Sequence, residues 1–108
     1  MSEGSIGVVE VPLGPVAMMD DDAKERLRAR LSEVHKWPAV YMYKFILEPD
    51  QHRVDALLAL FPAESEVLRK YSSGGRYLSI TVKEVMLSAD EVITRYEQVG
   101  TVPGVLSL

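Results

Sequence analysis

Between Ala39 and Leu47 the chain reads Ala-Val-Tyr-Met-Tyr-Lys-Phe-Ile-Leu, and both sets of alternating positions are apolar except at Lys44. A run of this kind, rich in β-branched and aromatic side chains, predicts a strand covered on much of both faces and central in its sheet. The period then changes. Glu48-Pro49-Asp50 reads as a turn with Asp50 as N-cap, and Val54, Leu57, Leu58 and Phe61 recur at helical spacing. This predicts a helix from Gln51 to about Phe61, stopped by Pro62. Glu66 to Tyr71 is short and carries Arg69 and Lys70, as expected of an edge strand. Ser72-Ser73-Gly74-Gly75 supplies a reversal, and Tyr77 to Leu87 returns at period two as the longest strand. Ser88-Ala89-Asp90-Glu91 reads as a capping box, with Leu87 and Val92 placed for a hydrophobic staple. The helix it opens buries Val92, Ile93, Tyr96 and Val99 and ends at Gly100. Pro103-Gly104 turns the chain into a last short strand, Val105 to Leu108.

From Trp37 onward the predicted order is therefore β-α-β-β-α-β. Two crossovers around a central hairpin predict an α+β fold, the ferredoxin-like sandwich. Its four-stranded antiparallel sheet carries both helices on one face. An extra helix is predicted over residues 20–35. Asp20, Asp21 and Asp22 cap it, and Ala23, Leu27, Leu31 and Val34 form a narrow apolar stripe. Proline at 38 pushes Trp37 out of the α region and ends the helix. The stripe needs a docking surface. The sheet face carrying Val40, Met42 and Ile46 is the expected one, within one chain or across a homodimer. Residues 1–19 hold two prolines and three glycines without a sustained period and read as a flexible tail.

The 108 residues suit one domain with a real core. Without cysteine there is no disulfide framework, thiolate metal site or cysteine nucleophile. A net charge of −4 argues against a general nucleic-acid binder. No basic module hides in the average, because the parts before and after Pro38 each carry −2: five basic and seven acidic residues, then seven and nine. The apolar stretch from Ile6 to Met19 is broken by Glu10, Pro12, Gly14 and Pro15, so neither a leader nor a membrane span is read there. The expected location is cytoplasmic.

Three blocks carry a resemblance. They are Trp37-Pro38 with Tyr41-x-Tyr43-Lys44-Phe45-Ile46; Ser72-Ser73-Gly74-Gly75-Arg76-Tyr77-x-Ser79-Ile80-Thr81-Val82; and Ser88-x-x-Glu91-Val92-x-x-x-Tyr96-Glu97 closing on Val102-Pro103-Gly104-Val105. Together they make residues 37–108 resemble the YbeD-like family of small bacterial proteins, whose function is uncharacterised. That family's fold is similar to the ACT domains that bind amino acids beside metabolic enzymes. The resemblance implies a regulatory or ligand-sensing role by analogy of fold, which does not by itself fix function.

The residues offer few catalytic arrangements. Lys44 lies on the sheet face opposite the helices. One reading makes it an anion contact together with Arg76, Lys83 and the turn at Ser73 and Gly74. The plainer reading lays its aliphatic stem over Met42 and Ile46 with the ammonium in water. Ser72, Ser73 and Ser79 have no histidine at matching spacing, and His35 and His52 share no metal-ligand spacing. Glu84 interrupts the alternation of its strand and suggests a bulge or sheet edge, a buried acid being the lesser reading. RNA-recognition domains share the sandwich topology but read bases with aromatics, where the matching strand here offers only Tyr77. Acylphosphatases, also of this topology, need an asparagine, and the chain has none. No enzyme and no cofactor is expected. Two functions stand: a regulatory module, expected as a homodimer, that binds a small effector or a partner enzyme, or a structural adaptor that docks a partner through its N-terminal helix or open sheet face.

Overall fold

The computed structural model describes residues 20–108, so the expected tail of residues 1–19 lies outside the described residues. Seven elements follow in order: α1 (Asp21–Val34), β1 (Ala39–Leu47), α2 (Gln51–Leu58), β2 (Glu66–Tyr71), β3 (Leu78–Met86), α3 (Ala89–Val99) and β4 (Leu106–Ser107). The four strands form one antiparallel sheet in the order β2-β3-β1-β4. Both β1 and β2 run opposite to β3, so they are parallel to each other with β3 inserted between them. No helix among the described residues is long and apolar enough to cross a membrane.

One face of the sheet is the core. Tyr43, Phe45 and Leu47 of β1 and Leu78, Ile80, Val82 and Met86 of β3 are buried there, because alternate side chains of a strand share a face. Val54 and Leu57 of α2 and Val92, Ile93, Tyr96 and Val99 of α3 complete the same cluster, and Leu31 of α1 joins it. All three helices thus lie on one side.

Helix ends follow the predicted chemistry. The Asp20 side chain accepts the Ala23 N–H at 2.8 Å, Asp50 accepts that of His52 at 2.9 Å, and Ser88 Oγ accepts that of Glu91 at 3.1 Å. Glu91 reaches back to the Leu87 N–H at 2.9 Å. The expected staple does not form, since Leu87 stays 63% exposed while Val92 is fully buried. Helix α2 is shorter than its apolar period: it ends at Leu58, and a turn delivers Phe61 to the core.

Three expectations need correction. The apolar stripe of α1 does not cover the face bearing Val40 and Met42. It packs beside α3, antiparallel to it, where Lys24 pairs with Glu97 and Arg28 with Asp90 at 2.6 Å. The docking is within the chain, and the reason is geometric: only the helix side continues the apolar cluster that Leu31 enters. β1 is central, but it is covered on one side only, with Val40 62% and Met42 43% exposed. Glu84 marks no bulge, because the register with β1 runs unbroken through Tyr41↔Glu84. It is a largely buried acid on the helix face, satisfied by Arg95.

Candidate functional site

The five residues singled out as an anion site do not converge. Ser73, Gly74 and Arg76 sit exposed in the β2–β3 turn, where Gly74 and Gly75 adopt the left-handed φ values of 86° and 74° that the reversal requires. Lys44 pairs in register with Thr81, roughly 10 Å along the strands from that turn, and Lys83 lies roughly 17 Å away. The Lys83 ammonium is 3.6 Å from Glu66 on β2. Lys44 and Lys83 do share the sheet face that the helices leave open, both half-buried.

That open face is the larger feature. Alternation places Val40 and Met42 of β1, Val85 of β3, Leu68 of β2 and Leu106 of β4 on it, each between 43% and 62% exposed. Among the described strand residues, Lys44, Lys70 and Lys83 stand on this face with one acid, Glu66, in a chain of net charge −4. Exposed apolar side chains gathered on one surface mark contact sites more often than scattered ones do.

At the end of the sheet nearest the turn, an open cleft of about 260 Å³ is lined by Ile46, Leu47, Glu48, Arg53, Tyr77, Gly104 and Leu106. The Arg53 guanidinium reaches Glu48 at 3.5 Å and lies flat against Gly104, so close that a Cβ there would stand 3.0 Å from Cζ. Sequence reading passed over Arg53. Its signal was faint: an arginine in the first turn of α2 and a proline–glycine turn far along the chain.

Also missed was the polar edge of the core. Arg95 binds Glu84 through two nitrogens, at 2.8 and 3.2 Å, and its guanidinium carbon stands 4.6 Å from the centre of the Phe61 ring. Beside it the hydroxyls of Tyr41 and Tyr96 are hydrogen-bonded at 2.9 Å. Burial raises the pKa of both phenols and that of Tyr43, disfavouring phenolate in an apolar setting. His35 and Trp37 close this aromatic group above Tyr41, and burial lowers the His35 pKa from its ordinary 6.5. Among the described residues no group of three histidine, aspartate or glutamate side chains is placed to hold a metal ion.

No curated protein and no solved structure matches the chain. The family model described as "Protein of unknown function (DUF493)" matches residues 32–108, from the last turn of α1 to Leu108. The chain therefore belongs to the DUF493 family, the family of YbeD-like small proteins.

Proposed function

We propose that this protein is a regulatory module that works by binding, with the open sheet face as its contact surface. The observation that carries this reading is the exposure of Val40, Met42, Leu68, Val85 and Leu106 on one face. The sheet order β2-β3-β1-β4 with the helices on one side supports a ferredoxin-like architecture and, by analogy, an ACT-like role. A partner suited to the face presents apolar side chains flanked by carboxylates, which complement Lys70 and Lys83. Its natural location in this reading is the cytoplasm, beside a metabolic enzyme. The alternative adaptor role loses its helix, because the stripe of α1 is spent on α3, and keeps the open face.

A second reading places a small anionic effector in the cleft that Arg53 lines, favoured by its guanidinium. A thermal-shift panel of the common amino acids separates the two, since a ligand of the native state alone must raise the melting temperature. An amino acid that stabilises the protein and loses its effect in Arg53→Met supports the effector. A flat panel, with a protein partner from the cell bound by the native chain and lost in Leu68→Asp with Val85→Asp, supports the contact face. A flat panel with no partner lost on those substitutions overturns both.

A further inference from the structure

Strand β2 bounds the sheet on the side away from β4, and among the described residues no strand pairs with its outer edge. Every residue of Glu66–Tyr71 except the half-buried Val67 is exposed. The turn tells which backbone groups lie on that edge. The Ser72 N–H donates to the Tyr77 carbonyl at 2.8 Å, so Ser72 faces β3. Backbone groups of successive residues in an antiparallel strand point to opposite edges. Lys70, Leu68 and Glu66 therefore also face β3, opposite Ser79, Thr81 and Lys83. Val67, Arg69 and Tyr71 hold their N–H and C=O groups outward.

Side chains alternate along the same strand. Glu66, Leu68 and Lys70 stand on the open face of the sheet, while Val67 packs against the core on the helix side. Reversed about Leu68, the run Glu66-Val67-Leu68-Arg69-Lys70 sets acid where base stood and base where acid stood. Charges on an edge strand ordinarily discourage pairing with other chains. Here they favour one partner, a reversed copy of the same strand.

We propose that β2 pairs antiparallel with β2 of a second copy about a two-fold axis at Leu68, which joins the two sheets into one. Glu66 then stands opposite Lys70 of the other copy on both sides of the axis, and Leu68 meets Leu68 on it. Val67 opposite Arg69 makes a hydrogen-bonded pair on each side, which satisfies the outward N–H and C=O groups of both residues. Glu66 already faces the Lys83 ammonium at 3.6 Å, so each carboxylate comes to lie between two cations. On the helix side the Arg69 stem lies against Val67, and the two guanidinium groups, set diagonally, diverge into water.

Other registers match less well. An axis at Arg69 sets two guanidinium groups directly opposite each other and gives Glu66 and Lys70 no partner of opposite charge within the strand. Axes at Glu66 or Lys70 oppose like charges in the same way. An axis at Val67 leaves Glu66 facing Leu68 and carries Arg69 past the end of the other strand. In the chosen register only Tyr71 runs past that end, beside Ser65 and the exposed turn before it. The contact is isologous and closes as a dimer. It does not rest on the reading of the open face as a contact surface, because its readout is the state of association of this chain with itself.

The test combines the oligomeric state of the whole chain with amide exchange at single residues. Sedimentation at about 1 mM protein should show a dimer. Between about 50 µM and about 1 mM, exchange at the Val67 and Arg69 amides should slow several-fold, while the Leu68 and Lys70 amides, which face β3, should hold their rates. Glu66→Lys and Lys70→Glu each set like charges across the axis at exposed positions, so each variant alone should be a folded monomer. Mixed in equal amounts, the two variants should form a heterodimer, because every charge of one then faces its opposite on the other. A monomeric parent at about 1 mM, a homodimer of either variant, or a mixture that stays monomeric each overturns the proposal. So does protection of the Val67 and Arg69 amides that is independent of concentration, which would show that another part of the chain covers the edge.

Discussion

Arg95 of α3 spans the width of the core edge to meet Glu84 of β3, and neither side chain is more than 15% exposed. Charges so placed are held by geometry, since each lacks the water that would otherwise stabilise it. Arg95→Ala should cost about 2–3 kcal/mol, somewhat under the roughly 3–5 kcal/mol of a fully buried pair, because some exposure remains. Replacing both partners, Glu84→Leu with Arg95→Met, should recover most of that loss. Urea denaturation of the single and double variants checks the order.

Two neighbouring phenols should respond in opposite ways. Tyr41 and Tyr96 share a hydrogen bond, so Tyr41→Phe should cost about 1 kcal/mol. The Tyr43 hydroxyl is buried without a partner among the described residues, so Tyr43→Phe should be neutral or slightly stabilising. Equal losses from both in chemical denaturation would show that Tyr43 has a partner of its own.

Helix α1 depends on Leu31 for its hold on the core. Leu31→Ala should lower stability by about 2–3 kcal/mol, the range for a truncated buried leucine. Leu27→Asp with Leu31→Asp should release the helix and open the amides of residues 21–34 to rapid exchange, while those of β3 stay protected. Rapid exchange of the α1 amides in the unaltered protein would show that the helix is not docked.

His35 makes stability fall in mild acid. Burial lowers its folded pKa below 6.5, so the unfolded chain binds the proton more readily. The contribution is present above the unfolded value and is lost as pH falls through the lowered one. The denaturation midpoint should drop between about pH 7 and pH 5, and His35→Gln should flatten that part of the curve relative to the parent.

Gly104 has a φ of 81°, and a Cβ there would stand 3.0 Å from the Arg53 guanidinium, which would have to shift slightly. Gly104→Ala should destabilise by about 1–2 kcal/mol through strain and the displaced guanidinium. Arg53→Ala made in the same chain should recover the steric part but not the strain, so the two effects should not add.

Elements whose side chains repeat with one period were legible from sequence. β1, β3 and α3 lie within a residue or two of where alternation and capping put them, because Tyr43, Phe45, Ile80 and Val92 report burial directly. What failed concerned which surface meets which. The stripe of Leu27 and Leu31 says that α1 docks, but it is equally apolar toward a sheet or a helix. Its destination is fixed by the buried cluster that Leu31 enters, whose α3 members Val92 and Tyr96 lie more than sixty residues further along the chain. Glu84 was read as an interruption because its partner lies on another element, and period-two reasoning sees one strand at a time. The residues named for an anion site do not converge for a different reason. Arg76 and Lys83 are joined by the hairpin and Lys44 lies on the strand paired with β3, yet the length of the strands separates them.

The chain's single tryptophan stands where α1 hands over to β1, with its ring centre 5.2 Å from that of His35 and packed against the core. Its fluorescence is consequently a local optical gauge. Emission from Trp37 should shift red when α1 leaves α3 and water reaches the indole, and it should dim when a proton on the neighbouring imidazole quenches the excited ring. The protein thus carries an intrinsic reporter at the joint between its extra helix and its sheet, readable without any label.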